Sequence, residues 1–282
     1  DPSLFDDGYQ LIADRTGWRG FGVVPYFDGA SKLPAEDALD LHNSGGSGDY
    51  KIAVLVLSRI ANFDDIDPLV QEPGVSLTMV RAGKVIPADT DLIIIPGSKS
   101  TLGDLAYSRA QGWDIDIASH LRRGGKVLGI CGGYQMLGTL VRDPLGIEGP
   151  VGETPGFGHL AIETEMTLDK RLTRIDAIHH ATGLAMQGYE IHIGRSDGPD
   201  RQRPFAIVND RPEGAMSADG RVMGSYLHGM FSNDTFRAGF LRHVGGKPSD
   251  LNYAAGVEAA LDGLAAHLEK HVDVIGLLAL AR

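Results

Sequence analysis

The chain has 282 residues, 43% of them hydrophobic, with 38 Gly, 14 Pro and one Cys; this suits a globular α/β protein with a substantial core. Its net charge of -11, from 37 acidic side chains against 26 Lys plus Arg, argues against a nucleic-acid partner or an anionic membrane surface. A single cysteine excludes an internal disulfide and fits a reducing, cytoplasmic compartment, and no apolar run approaches the roughly 20 residues that cross a bilayer.

The chain opens with DPSLFDDGYQ, which has neither the basic nor the apolar region of a signal peptide and no initiator Met. It reads as a cut end, of a processed chain or a fragment. FDDGYQLIADRTG predicts a helix ending near Gly17, and WRGFGVVPYF a strand closed by Pro25. One helix and one strand cannot form a core of their own. Residues 1–43 are therefore expected to be the tail of another domain or an arm on the main body, with 44–50, rich in Gly and Ser, as a linker.

From residue 51 the pattern becomes regular. KIAVLVL (51–57) is a continuous apolar run of the kind buried on both faces of a parallel sheet. VSLTMV (75–80), DLIIIPG (91–97) and KVLGI (126–130) follow as strands, with a helical stretch over 101–123 that breaks near Gly112. Another helix starts near Gly132. This alternation predicts an α/β domain over 51–282, with a mostly parallel central sheet flanked by helices. FGHLAIETEM (157–166), YEIHIG (189–194), PFAIVN (204–209) and RVMGSYLH (221–228) predict later strands, some of them edge or antiparallel. SNDTFRAGFLRHV (232–244) opens with a Ser or Asn cap, and the last forty residues predict two amphipathic helical pieces.

Three stretches carry chemistry. In KVLGICGGYQMLG (126–138) a buried strand runs into Cys131, and Gly132 and Gly133 precede a helix. Small neighbours permit the tight turn that projects a nucleophile, and the Gly132 N–H is placed to face an oxyanion; a buried, inert cysteine is the alternative. IIIPGSKST (93–101) turns sharply at the carboxyl edge of the sheet, where α/β folds bind ligands, and offers the N–H of Gly97 or Ser98 as a second donor. It lacks the Gly–Lys spacing of a nucleotide-binding loop. In SYLHGMF (225–231), His228 ends a strand and suits the role of base for Cys131, with His192, His179 and His180 as rivals. No metal-ligand spacing is present, so no metal is expected.

Together these stretches resemble the class I glutamine amidotransferases, in the branch that amidates cobyrinic and cobyric acids, and within it the cobyric acid synthases. The resemblance rests on SRIANFDDIDPL (58–69), DLIIIPGSKSTLGDL (91–105), KVLGICGGYQMLG, YEIHIG and GSYLHGMF, while GVVPYF and LPAEDAL resemble the end of the preceding synthetase domain. It implies a flavodoxin-like fold of the class I glutamine amidotransferase type. It makes Cys131 the nucleophile, His228 its partner, the N–H groups of Gly97 and Gly132 the oxyanion donors, and Gln135, Ser98 and Tyr189 the glutamine contacts. It also implies that this chain binds no cofactor itself. The ammonia would pass to a synthetase domain that uses ATP and Mg²⁺ to amidate adenosylcobyrinic acid a,c-diamide, a corrinoid. Most class I glutaminases carry His-x-Glu, whereas His228-Gly229-Met230 has no acid, as is typical of this branch. What orients His228 is left open, and a weakly primed pair that needs its synthetase partner is one expectation. The alternatives are a glutaminase serving cobyrinic acid or lipid II amidation, and a non-catalytic domain that binds a partner.

Overall fold

A computed structural model describes residues 2–33, 46–168 and 171–281. The chain divides into two compact units, one of residues 35–253 and one of residues 1–34 with 254–282.

The larger unit is built on a six-stranded sheet of β1 (Tyr50–Leu55), β2 (Val75–Val80), β3 (Leu92–Ile95), β4 (Lys126–Ile130), β5 (Ala215–Met216) and β6 (Val222–Ser225). Their order is β5-β6-β4-β3-β1-β2. All neighbours are parallel except β5 and β6. The apolar runs fix this arrangement, because Ile93, Ile94, Ile95, Val127, Leu128 and Ile130 are all fully buried and only a strand covered on both faces hides every side chain. The register pairs Ile95 with Gly129 and Ser225 with Ile130. The chain therefore leaves β3, β4 and β6 side by side at one carboxyl edge.

A second, antiparallel sheet contains the hairpin Arg171–His179 and Ala185–His192. The short strand Leu227–His228 joins its edge, with His228 opposite Tyr189. The chain thus crosses from β6 into the second sheet within two residues, which brings His228 back toward the end of β4.

Some predicted elements keep their bounds and others shorten. The helical stretch splits into Thr101–Ala110 and Trp113–Arg122 at Gly112, which is left-handed with φ 77°. The strand expected over 157–166 shrinks to Glu163–Glu165. Asn233 caps the helix Asp234–Val244 by accepting the Phe236 N–H at 2.9 Å. The expected linker does not run free where it is described, because Gly48 N–H donates to Val75 O and Tyr50 N–H to Gly74 O. Residues 44 and 45, and LPAEDAL, lie outside the described residues.

The smaller unit takes in the C-terminal helices. The helix Tyr253–His271, beyond its first residue, and the helix Val274–Ala279 group with the N-terminal segment. Within this unit the helix Asp6–Thr16 ends at left-handed Gly17. The strand expected over WRGFGVVPYF reduces to one bridge, Gly22 with Val272, since Gly22 at φ 126° departs from strand geometry. The Phe27 ring meets His267 at 5.3 Å, and the Asp273 N–H donates to Phe21 O at 2.7 Å. Sequence separation hid this pairing, because an amphipathic helix does not name the distant segment it packs on.

A buried ion pair locks the larger unit. Arg237 Nε donates to Glu72 Oε1 at 2.7 Å, with the two side chains 1% and 0% exposed. Other Arg237 nitrogens donate to Phe231 O and Leu251 O, and Glu72 Oε2 accepts from the Ser249 hydroxyl and N–H. Breaking a buried pair leaves an uncompensated charge. Glu72→Gln is expected to cost about 3 kcal/mol of unfolding free energy in urea titrations.

Candidate active site

The strand β4 runs into Cys131, whose backbone lies at φ 53° and ψ -109°. This is a strained conformation for any residue with a Cβ, and it persists only where surrounding contacts over-determine it. Here the Cys131 N–H donates to Ser225 O at 2.8 Å and its carbonyl accepts the Gln135 N–H at 3.1 Å. The next turn is pressed onto the end of β3. Gly133 N–H donates to Pro96 O at 3.1 Å, and a Cβ at 133 would stand 2.0 Å from Ile95 O. Only glycine fits there. The thiol is 8% exposed and its Sγ lies 3.6 Å from Ile191 O, a weak donor contact. A strained turn with a near-buried thiol at a sheet's carboxyl edge is the geometry of a nucleophile elbow.

His228 is the histidine on which this thiol acts electrostatically. The ring is fully buried, and its Nδ1 lies 2.6 Å from Asp65 Oδ2. Asp65, itself 3% exposed, uses Oδ1 to accept the Gly229 N–H at 2.6 Å. With a carboxylate on Nδ1, that nitrogen is protonated in either charge state of the ring, and Nε2 makes no hydrogen bond among the described residues. Burial alone lowers the imidazole's pKa, but the Asp65 charge and hydrogen bond and the nearby Cys131 thiol outweigh it and raise it to about 10. Tyr189 stacks on the ring at 5.4 Å and 22°, and its hydroxyl accepts from Asn62 Nδ2 at 2.8 Å.

The rival histidines sit elsewhere. His179 is buried among Phe205, Phe236 and Phe240, with Nδ1 2.8 Å from Thr182 Oγ1. Burial, then the neighbouring His243 and His180, push its pKa down to about 4. His180 is exposed. His192 stacks on Tyr226 at 3.8 Å, with Nδ1 3.1 Å from Gly194 O.

The remaining predicted residues surround the elbow. Gly97 and Ser98 pair antiparallel with Ile60 and Ala61, and a Cβ at Gly97 would lie 3.3 Å from His228 Cε1. Gly132 packs on Ser98. The Ser98 hydroxyl donates to Asp104 Oδ2 at 2.6 Å and accepts the Ser100 N–H. Gln135 is 2% exposed; its Oε1 accepts from the Thr101 hydroxyl, and its Nε2 donates to Ile193 O and the Tyr226 hydroxyl. A glutamine contact through Ser98 or Gln135 therefore exchanges an internal hydrogen bond for one to substrate.

Beside Tyr226 lies a cavity of about 480 Å³, lined in part by Tyr134, Glu190, His192 and Glu213. Glu213 accepts the Ser225 hydroxyl and the Tyr226 N–H, and burial pushes its carboxyl up to about 7. Among the described residues no three His, Cys, Asp or Glu side chains are grouped to hold a metal ion. Sequence reasoning missed Asp65. The only signal was the acidic run FDDIDPL, which offers Asp64, Asp65 and Asp67 without distinguishing them.

Residues 51–236 match the model of the CobB/CobQ-like glutamine amidotransferase domain. The chain belongs to that family. Along its full length it is 66% identical to a cobyric acid synthase of Rhodobacter capsulatus and 59% identical to one of Paracoccus denitrificans. It spans 59% and 58% of the length of these two relatives. A solved glutamine amidotransferase structure, 20% identical, superimposes on 69% of the chain and 98% of its own length with a TM-score of 0.53; that likeness concerns the fold. No described helix is long and apolar enough to cross a membrane.

The raised His228 pKa also links stability to pH. A group whose folded pKa exceeds its unfolded value of about 6.5 contributes fully below that value and loses its contribution as pH rises through the folded value, here about 10. The unfolding free energy of the wild type minus that of His228→Gln should be largest near pH 6 and decline by a few kcal/mol toward pH 10. Urea titrations at pH 6, 8 and 10 measure it.

Proposed function

We propose that this chain is the glutaminase part of a cobyric acid synthase. The observation that carries the reading is Cys131 held in a strained elbow beside a buried imidazole whose Nε2 has no hydrogen-bond partner among the described residues; identity of 66% to a cobyric acid synthase supports the pathway. His228 holds the thiol proton in a thiolate–imidazolium pair, and Cys131 Sγ attacks the glutamine side-chain carbonyl. The oxyanion that forms is met by the N–H groups of Gly132 and Gly97. Imidazolium then protonates the leaving nitrogen, the C–N bond breaks, and ammonia departs from a glutamyl thioester. Water, deprotonated by His228, attacks the thioester and releases glutamate and the thiol. Tyr189 walls the substrate beside the ring, and Ser98 and Gln135 complete the site by exchanging internal partners.

The ammonia passes to a synthetase domain. ATP and Mg²⁺ belong to a synthetase domain that amidates adenosylcobyrinic acid a,c-diamide, and residues 1–43 are the end of that domain. The expected compartment is the cytoplasm.

Labelling by 6-diazo-5-oxo-norleucine tests the reading. The wild type should be labelled at Cys131 and release glutamate from glutamine, and Cys131→Ala should lose both, with glutaminase falling at least about a thousandfold. An unlabelled wild type, alone and with its matched synthetase domain, would leave only the partner-binding alternative.

A further inference from the structure

We propose that Asp65 is the positioning carboxylate of the Cys131–His228 pair, reaching the histidine from the loop after β1 instead of from the segment that carries His228. The inference rests on the glutaminase reading of the site. Both Asp65 oxygens are used on the histidine segment. Oδ2 meets the ring Nδ1 at 2.6 Å, and Oδ1 accepts the N–H of Gly229 at 2.6 Å. One contact fixes the tautomer and the other fixes the backbone that carries the ring. A carboxylate on Nδ1 turns Nε2 toward the thiol and stabilises the imidazolium that holds the thiol proton.

The pairing is fully desolvated, with side-chain exposures of 0% for His228 and 3% for Asp65. It is therefore shielded from the salt screening that weakens surface pairs. The other charged or titratable groups facing the ring are Asp64, Cys131 and Tyr189. Asp64 acts on the ring through its charge alone, and burial together with Asp65 raises its own pKa.

The loop that supplies Asp65 also holds the neighbouring parts of the site. Ser58 Oγ and the Arg59 N–H donate to Asp104, which accepts Ser98 as well. Ile60 and Ala61 pair with Ser98 and Gly97. Asn62, left-handed at φ 51°, donates to the hydroxyl of Tyr189, which stacks on His228. One loop thus sets the acid, the Gly97 turn and the ring's stacking partner together.

The test uses this chain with two readouts. In histidine-resolved NMR, the wild-type His228 ring should titrate well above the ordinary value and Asp65→Asn should move it down. In kinetics, Asp65→Asn should slow Cys131 labelling by 6-diazo-5-oxo-norleucine and lower glutaminase kcat by about 10² to 10⁴, the upper figure being that of the corresponding acid in serine proteases, with KM little changed. The basic limb of the labelling rate should shift to lower pH. Asp65→Glu should recover part of the rate, and Asp64→Asn should move the limb less than Asp65→Asn. A folded Asp65→Asn that labels at the wild-type rate with an unmoved pH profile would overturn the proposal, as would a wild-type ring that titrates at its ordinary value. If the wild type takes no label even with its matched synthetase domain, the glutaminase reading fails, while the ring titration still judges the Asp65–His228 pairing.

Discussion

Gly133 lies so close to the end of β3 that a Cβ there would stand 2.0 Å from the Ile95 carbonyl oxygen, and the site depends on this approach. It lets the Gly133 N–H bond Pro96 O and presses the turn after Cys131 against the Gly97–Ser98 turn. The strained backbone at Cys131 is held by the same packing, with the Ser225 carbonyl accepting its N–H from the adjacent strand. Strain of about 1–3 kcal/mol is small beside the burial of three parallel strands at one edge. The fold therefore keeps the thiol where relaxation would withdraw it.

Electrostatics at the site follow from burial. The imidazole of His228 has no solvent to ionise into, yet its pKa rises because the carboxylate of Asp65 and the thiol of Cys131 outweigh the cost of desolvation. Burial without such partners acts the other way at His179, which sits in an aromatic cluster and falls to about 4. Two fully buried histidines thus shift in opposite directions, and the difference lies in what faces each ring.

Much of this was legible before any fold was known. The apolar runs at 51–57, 91–97 and 126–130 predicted buried parallel strands, since only strands covered on both faces are apolar throughout, and the alternating VSLTMV at 75–80 predicted another. Glycines 132 and 133 pointed to the elbow because a tight turn crowds the backbone. Strands with mixed polarity were less legible. The one expected at 157–166 kept three residues, and the one in the first thirty reduced to a bridge, because sparse apolar alternation does not specify a partner.

The sequence by itself determined the family, the nucleophile candidate and the carboxyl-edge placement of Cys131 and Gly97, all of which depend on local pattern. The tertiary structure decided which histidine meets the thiol and which carboxylate meets that histidine. Asp65 and His228 are 163 residues apart, and the acidic run around Asp65 gives no sign of which member is buried. It also decided that the C-terminal helices group with the first thirty-four residues. Contacts between distant segments arise from shape and burial, which a linear pattern does not encode.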